Sequence, residues 1–343
     1  MIRTSRSIRK GVPMMRRLTL IFVALSVTLC LGIVSVEAEM KLKAGSVLPP
    51  DSDQGQAMEY FGKRVKELTN GEIIVQSFHS GELGPPPTQF KNTIAGAQDL
   101  VVDTLDYFKA YDDRFGVINT PFVFRSREHF NKFLNSDQFA KIAEKVENRG
   151  LVFLGNYNWM RQQDRGILSR KPIFTPEDLQ GVKMRMFQAE MPINAWSAMG
   201  ANIQVYSWSD VYTALATGAV DSLTTVVSAS YLNKHMELVK YFTNVREYYQ
   251  IILPVISART WKKLNDKQKE ALIQAANEAG DEYRRLSKLK NDEHIERAQE
   301  DLGLSIIIPP LKPWHKKGEE VHRLLEEKGF LPKGIVAEAK AIK

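Results

Sequence analysis

The stretch GVKMRMFQAE, Gly181 to Glu190, sets an arginine where an apolar strand is expected to end. Val182, Met184 and Met186 alternate with Lys183 and Arg185, the period of a strand. Strands in chains that alternate strand and helix are usually covered on both faces, so Arg185 should be buried and need a partner. A guanidinium is a planar fork of donors that meets a carboxylate through two parallel hydrogen bonds. Strand ends in open α/β sheets are also where ligands bind. The chemistry expected of Arg185 is therefore recognition of a carboxylate; the alternative is a structural ion pair.

Other reactive side chains form no constellation. The six histidines, His79, His129, His235, His294, His315 and His322, are scattered without metal-ligand spacing. The single cysteine, Cys30, lies in the N-terminal leader, which leaves the rest of the chain without thiol chemistry. G-x-G-x-x-G, P-loop, G-x-S-x-G and H-E-x-x-H patterns are absent from the sequence. Most carboxylates lie in lysine-mixed helical runs, the pattern of a solvated face. DSDQGQ lacks the spacing of a calcium loop, and WHKKGEEVHRLLEEKG mixes both signs of charge as a surface helix does. These patterns hold no catalytic constellation, so no enzymatic chemistry, metal or cofactor is expected.

The elements that must position Arg185 read clearly. Just before it, IFTPEDLQ offers Thr175 as a cap, Pro176 at the first helical position and two acids at the positive helix end. MKLKAGSV is a strand. DQGQAMEYFGKRVKELTNG is a helix with Met58, Phe61, Val65 and Leu68 on one face. EIIVQSF is a strand, HSGELGPPPTQF a loop, TQFKNTIAGAQ a helix and DLVVDTL a third strand. This rhythm predicts parallel pairing in an α/β fold. GLVFLGNY, VKMRMF, NIQVY and AVDSLTT continue as strands, and SWSDVYTALATG is a short helix with Ser209 as its cap and Gly218 as its stop. YYQIILPVISA is a long apolar strand expected to return to the first domain, and the forty residues from Asn265 onward are helical.

The chain has 343 residues, enough for two domains. Its first 38 hold six basic residues, one acid and the apolar run LTLIFVALSVTLCLGIV, followed by VEA at Val36–Ala38. This is the pattern of a cleaved export signal, with the mature chain starting at Glu39 and bound for the periplasm. Beyond it 41 basic residues face 39 acidic ones, a net charge of +2. The apparent basicity is thus a property of the leader, and nucleic acid is not an expected partner.

Several ordered motifs resemble one family along nearly the whole mature chain: FGKRVKELTNGEIIVQSFHSGELG, INTPFVFRSREHF, RKPIFTPEDLQGVKMRM, WSDVYTALATGAVD, KYFTNV and KQKEALIQAANEA. They are similar to the solute-binding subunits of tripartite ATP-independent periplasmic (TRAP) transporters, the dicarboxylate-binding-protein-like family. The resemblance implies an α/β, two-domain periplasmic binding protein fold with an interdomain ligand cleft and a long helix spanning both domains. The bounds expected are 39–160 plus about 249–285 for one domain, and 161–248 plus about 286–343 for the other. It implies capture of an organic acid and its delivery to TRAP membrane subunits. The rival readings are the receptor of another importer and a ligand-sensing periplasmic protein.

The family's carboxylate clamp matches Arg185, and a second family arginine matches Arg165, with Arg161 close by. Gln188 matches a polar pocket position and Trp208 an aromatic one. The sequence also departs from the family. Where many members read VDGQENP, this chain reads VDSLTTV, so the family's ligand-contacting asparagine falls on Thr225 and its glutamate on Thr224. The acidic pocket position of sialic-acid binders falls on Thr104. These losses of polar groups predict a smaller or more apolar carboxylate than a sugar acid, with a C4-dicarboxylate also possible.

Overall fold

Capping and apolar spacing set most helix ends. The computed structural model describes residues 39–343; the export signal, its cleavage site and Cys30 lie outside the described residues. Ser52 accepts a hydrogen bond from Gly55 N at 2.9 Å and starts the helix Asp53–Leu68, which buries Met58, Phe61 and Val65. The helix Asp266–Leu302 begins with a reciprocal capping box between Asn265 and Gln268. It ends at Gly303, whose φ of 67° suits a residue without Cβ. Two expected starts differ. The helix after the triple proline begins within it, at Pro86, because proline lacks only a donor that the first turn leaves unpaired. Ser209 caps nothing: a 3₁₀ turn, Trp208–Asp210, precedes the helix Val211–Ala216, and Asp210 holds its N-cap position.

Eleven strands of the described residues form two sheets. The first contains β1 (Met40–Gly45), β2 (Ile73–Phe78), β3 (Leu100–Thr104), β4 (Leu151–Phe153) and β10 (Ile252–Ser257), in the order β2-β1-β3-β10-β4. The second contains β5 (Gly166–Ser169), β6 (Lys183–Met186), β7 (Asn202–Val205), β8 (Ser222–Thr225), β9 (Tyr241–Thr243) and β11 (Ser305–Ile307), in the order β11-β9-β5-β8-β6-β7. Parallel pairing holds for β1 with β2 and β3, and for β6 with β7 and β8. It fails for β10, which runs antiparallel between β3 and β4, and for β5, antiparallel to β8 and β9. A helix crossover returns a chain to the same end of a sheet and gives parallel strands. β10 enters the first sheet from the second without such a crossover, so it runs the other way.

The long helix packs against Asp53–Leu68 and, further along, against Val227–Leu232. Beside the first of these, Trp159 stacks on Tyr283 at 5.7 Å and donates Nε1–H to the Ala276 carbonyl at 2.7 Å. Under the first sheet Phe90 and Phe115 both pack on Phe108, at 4.8 and 5.6 Å between ring centres. These aromatic contacts hold rigid the turns that follow β3.

Candidate functional site

A cavity of about 590 Å³, counting its open mouth, is walled by residues of both sheets. The first sheet supplies Asp103 and Thr104 from the end of β3, and the turn that follows supplies Asp106 and Tyr107. The second supplies Arg185 from β6 and Thr224 and Thr225 from the end of β8.

Arg185 sits one residue before the end of β6 and is 3% exposed. Its Nε–H donates to the Tyr206 carbonyl at 3.0 Å. The guanidinium carbon lies 5.4 Å from the ring centre of Trp208 and 5.9 Å from that of Phe187. Those rings fix its plane and favour its charge. No acidic side chain among the described residues forms an ion pair with it. Burial, opposed by Tyr107 and reinforced by Arg165, pulls its pKa down to about 10, so it keeps its charge at neutral pH. A buried cation whose outer nitrogens lack an internal acid is arranged to take an anion from outside.

Arg165 is buried differently. Its Nε–H donates to Glu247 Oε1 at 2.7 Å, and one terminal nitrogen donates to Thr224 Oγ1 at 3.1 Å. Its guanidinium also lies 4.8 Å from the ring centre of Tyr248. Burial works against its charge, but Tyr248, Glu247 and Asp106 outweigh burial and push its pKa up. Its charge is already matched within the protein. Asp106 is held by Tyr248 Oη–H at 2.8 Å and by Gln250 Nε2–H at 2.7 Å.

Of the residues singled out from the sequence, Arg185, Arg165, Trp208, Thr225 and Thr104 line this cavity; Gln188 is exposed and does not. The strand has ended by then, and the next residues turn toward the helix Glu190–Ala198. Two threonine hydroxyls are committed internally: Thr104 Oγ1 accepts from Asp106 N, and Thr225 Oγ1 donates to the Val226 carbonyl. The cavity is more polar than the departures at 104, 224 and 225 suggested. Asp103, Asp106, Gln54 and Gln250 line it as well. Asp103 carried a signal in the sequence, since an acid in the apolar run DLVVDTL is as anomalous as Arg185. Glu247, in VREYYQ, carried none, because its partner is 82 residues away.

Residues 44–328 match the sequence model of the bacterial extracellular solute-binding proteins, family 7. The chain is 26% identical to the 2,3-diketo-L-gulonate-binding periplasmic protein YiaO of Escherichia coli K12, over 79% of this chain and 81% of that protein. It is similar in structure to a TRAP periplasmic solute binding protein from Sulfurospirillum deleyianum with bound succinate, at TM-score 0.79 and 26% identity, covering 89% of this chain and all of the other. A second such protein, from Ochrobacterium anthropi with bound L-fuconate, superposes at TM-score 0.81 and 25% identity, covering 89% and 99%. With a motif series, a fold and a family match that all span the mature chain, the protein belongs to family 7 of the bacterial extracellular solute-binding proteins, the TRAP transporter solute-binding subunits.

Proposed function

We propose that this protein binds an organic carboxylate in the cavity at Arg185 and delivers it to the membrane subunits of a TRAP transporter, performing no reaction itself. The observation that carries this reading is the buried Arg185 guanidinium, aimed at the cavity and without an internal acid. Burying an unpaired charge is costly, and a ligand carboxylate would offset that cost through a two-point contact. The named ligands of the relatives, a diketo sugar acid, succinate and fuconate, are all carboxylates. We further propose that the mature chain works as two lobes, 39–160 plus about 249–285 and 161–248 plus about 286–343, that close on the ligand. In support, the strands of the first sheet all fall within the first set of residues. All those of the second sheet except β11 lie in 161–248, and β11 lies in the C-terminal part of the same lobe. Arg185, Arg165, Trp208, Thr225 and Thr104 are the proposed contacts.

The test is a thermal-shift screen of monocarboxylates, dicarboxylates and sugar acids against the mature protein. A ligand that binds only the folded state raises the melting temperature by mass action. Stabilisation by one or more acids, and none by their amides, is the expected result. A panel in which amides stabilise as well as acids would overturn the reading.

A further inference from the structure

Three polar atoms on residues that line the cavity are buried without a hydrogen-bond partner among the described residues: one acceptor, Asp103 Oδ2, and two donors, Arg161 Nε and Trp208 Nε1. Asp103 is 4% exposed; its Oδ1 accepts from Thr104 N at 2.7 Å, while its Oδ2 accepts from nothing. Arg161 is 5% exposed, and its Nε–H donates to nothing. Asp103 and Arg161 both line the cavity that holds Arg185, and no ion pair joins them to each other among the described residues. The remaining acids of the site are spoken for: Asp106 by Tyr248 and Gln250, and Glu247 by Arg165 and Trp196. Asp103 therefore differs from every other acid lining the cavity, as Arg185 differs from Arg165.

A buried acceptor left unpaired is expensive, so a ligand that brings it a donor is favoured over one that does not. Burial, partly offset by the Thr104 amide and with Asp106 adding to it, pushes the Asp103 carboxyl up to about 7, against the pull of Arg161. That direction is the one expected of an acid that lacks a partner. The nature of the donor follows from the other two atoms, which are both donors. Arg161 needs an acceptor. A hydroxyl is donor and acceptor at once, whereas an ammonium only donates and would add a cation to a cavity that already holds Arg161, Arg165 and Arg185.

We propose that Asp103 is a specificity-determining residue that selects carboxylates carrying a hydroxyl on their carbon chain, with Arg161 supplying the matching donor. This rests on the carboxylate reading of Arg185 and narrows it. It also reverses the expectation of a more apolar ligand, which came from positions 104, 224 and 225 alone.

The test is calorimetric titration of the mature protein with matched acids that differ only in the group at issue. The sets are propionate, lactate and alanine; succinate, malate and aspartate; and hexanoate against gluconate. In the set that matches the cavity's length, the hydroxyl member should bind about tenfold or more tightly than the unsubstituted acid. The amino member should bind no better than the unsubstituted one. Asp103→Leu should bring the ratio to within about threefold, while Asp103→Asn, which keeps an acceptor oxygen, should retain most of it. The inference is overturned if the unsubstituted or the amino acid binds as tightly as its hydroxyl counterpart, or if Asp103→Leu keeps the full preference. Should Asp103→Leu not fold, the wild-type ratio decides alone. Equal binding within every set sinks the role of Asp103 and leaves the carboxylate reading standing; binding of none of these acids sinks both.

Discussion

Arg165 and Glu247 meet as a buried ion pair, Nε to Oε1 at 2.7 Å, with the two side chains 8% and 0% exposed. The pair divides the labour between the two arginines singled out in the sequence. Arg165 is neutralised from within and holds Thr224 at the end of β8. Arg185 has no such acid, and its electrostatic demand is left for a ligand.

Arg185 should accordingly carry most of the carboxylate affinity. Removing one member of a buried, hydrogen-bonded charge pair costs about 2–5 kcal/mol. At about 1.4 kcal/mol per decade, Arg185→Ala should weaken binding of the screened acid by roughly thirtyfold or more. Arg185→Lys should recover part of the loss, since an ammonium cannot reproduce the planar fork. Calorimetry on folded variants is the measurement, and wild-type affinity in Arg185→Ala would remove the clamp.

Glu247 should matter to stability more than to any contact with ligand. It accepts from Arg165 and, through Oε2, from Trp196 Nε1–H at 3.0 Å. Glu247→Ala leaves a buried guanidinium and a buried indole donor without their acceptor, a loss of about 3–5 kcal/mol. Removing both charges together, Arg165→Met with Glu247→Leu, should cost less than the sum of the single changes, because no orphan charge remains. Denaturant unfolding of the three variants gives the cycle; strict additivity would show that the pair is not coupled.

Legibility in the sequence followed the range of the interactions. The β6 strand was readable from five alternating residues, Val182 to Met186, and the Thr175 cap ahead of it from a single turn. The long helix was readable because its capping box and its Gly303 stop are both local. Strand direction was not. Whether β10 runs with β3 or against it depends on where the chain comes from, and that is decided some 150 residues away. In the site, Arg185 announced itself as a charge in an apolar strand. Asp103 offers the same sign within DLVVDTL, one residue before Thr104, the position that matches the family's acidic pocket residue. The pairing of Arg165 with Glu247 leaves no trace in either segment.

Gly166 should tolerate no side chain. It begins β5, next to Arg165, and lies beside β9. A Cβ there would approach the Thr243 carbonyl oxygen to 2.3 Å and the Phe242 ring to 2.8 Å. The first obstacle is backbone, which cannot rotate away as a side-chain tip can. Gly166→Ala should destabilise by about 1–3 kcal/mol through overpacking. It should also lower affinity, because the residue just before β5 is Arg165, the arginine that braces Thr224. Thermal unfolding with and without ligand separates the two effects, and an unchanged melting temperature would show that β9 yields easily.

His235 should make stability fall with acid. Its ring meets Trp208 edge-on at 5.0 Å, and its Nδ1 lies 3.3 Å from Ser230 Oγ. Burial, with the Arg185 charge adding to it, pulls its pKa from 6.5 down to about 3. The folded state therefore keeps His235 neutral between those values, while the unfolded chain takes up a proton. Stability from this residue is fully present above pH 6.5 and is lost as pH falls toward 3. By pH 5 the loss should reach roughly 2 kcal/mol. Asp103, whose carboxyl is pushed up, acts with the opposite sign, so the total curve is not the readout. The readout is the stability gap between wild type and His235→Asn, followed by denaturant unfolding from pH 8 to pH 5. Asparagine does not titrate, so the gap should shift in the variant's favour by roughly 2 kcal/mol over that span. Parallel curves would mean that His235 is protonated in the folded protein, and that the wall behind Trp208 is open to water.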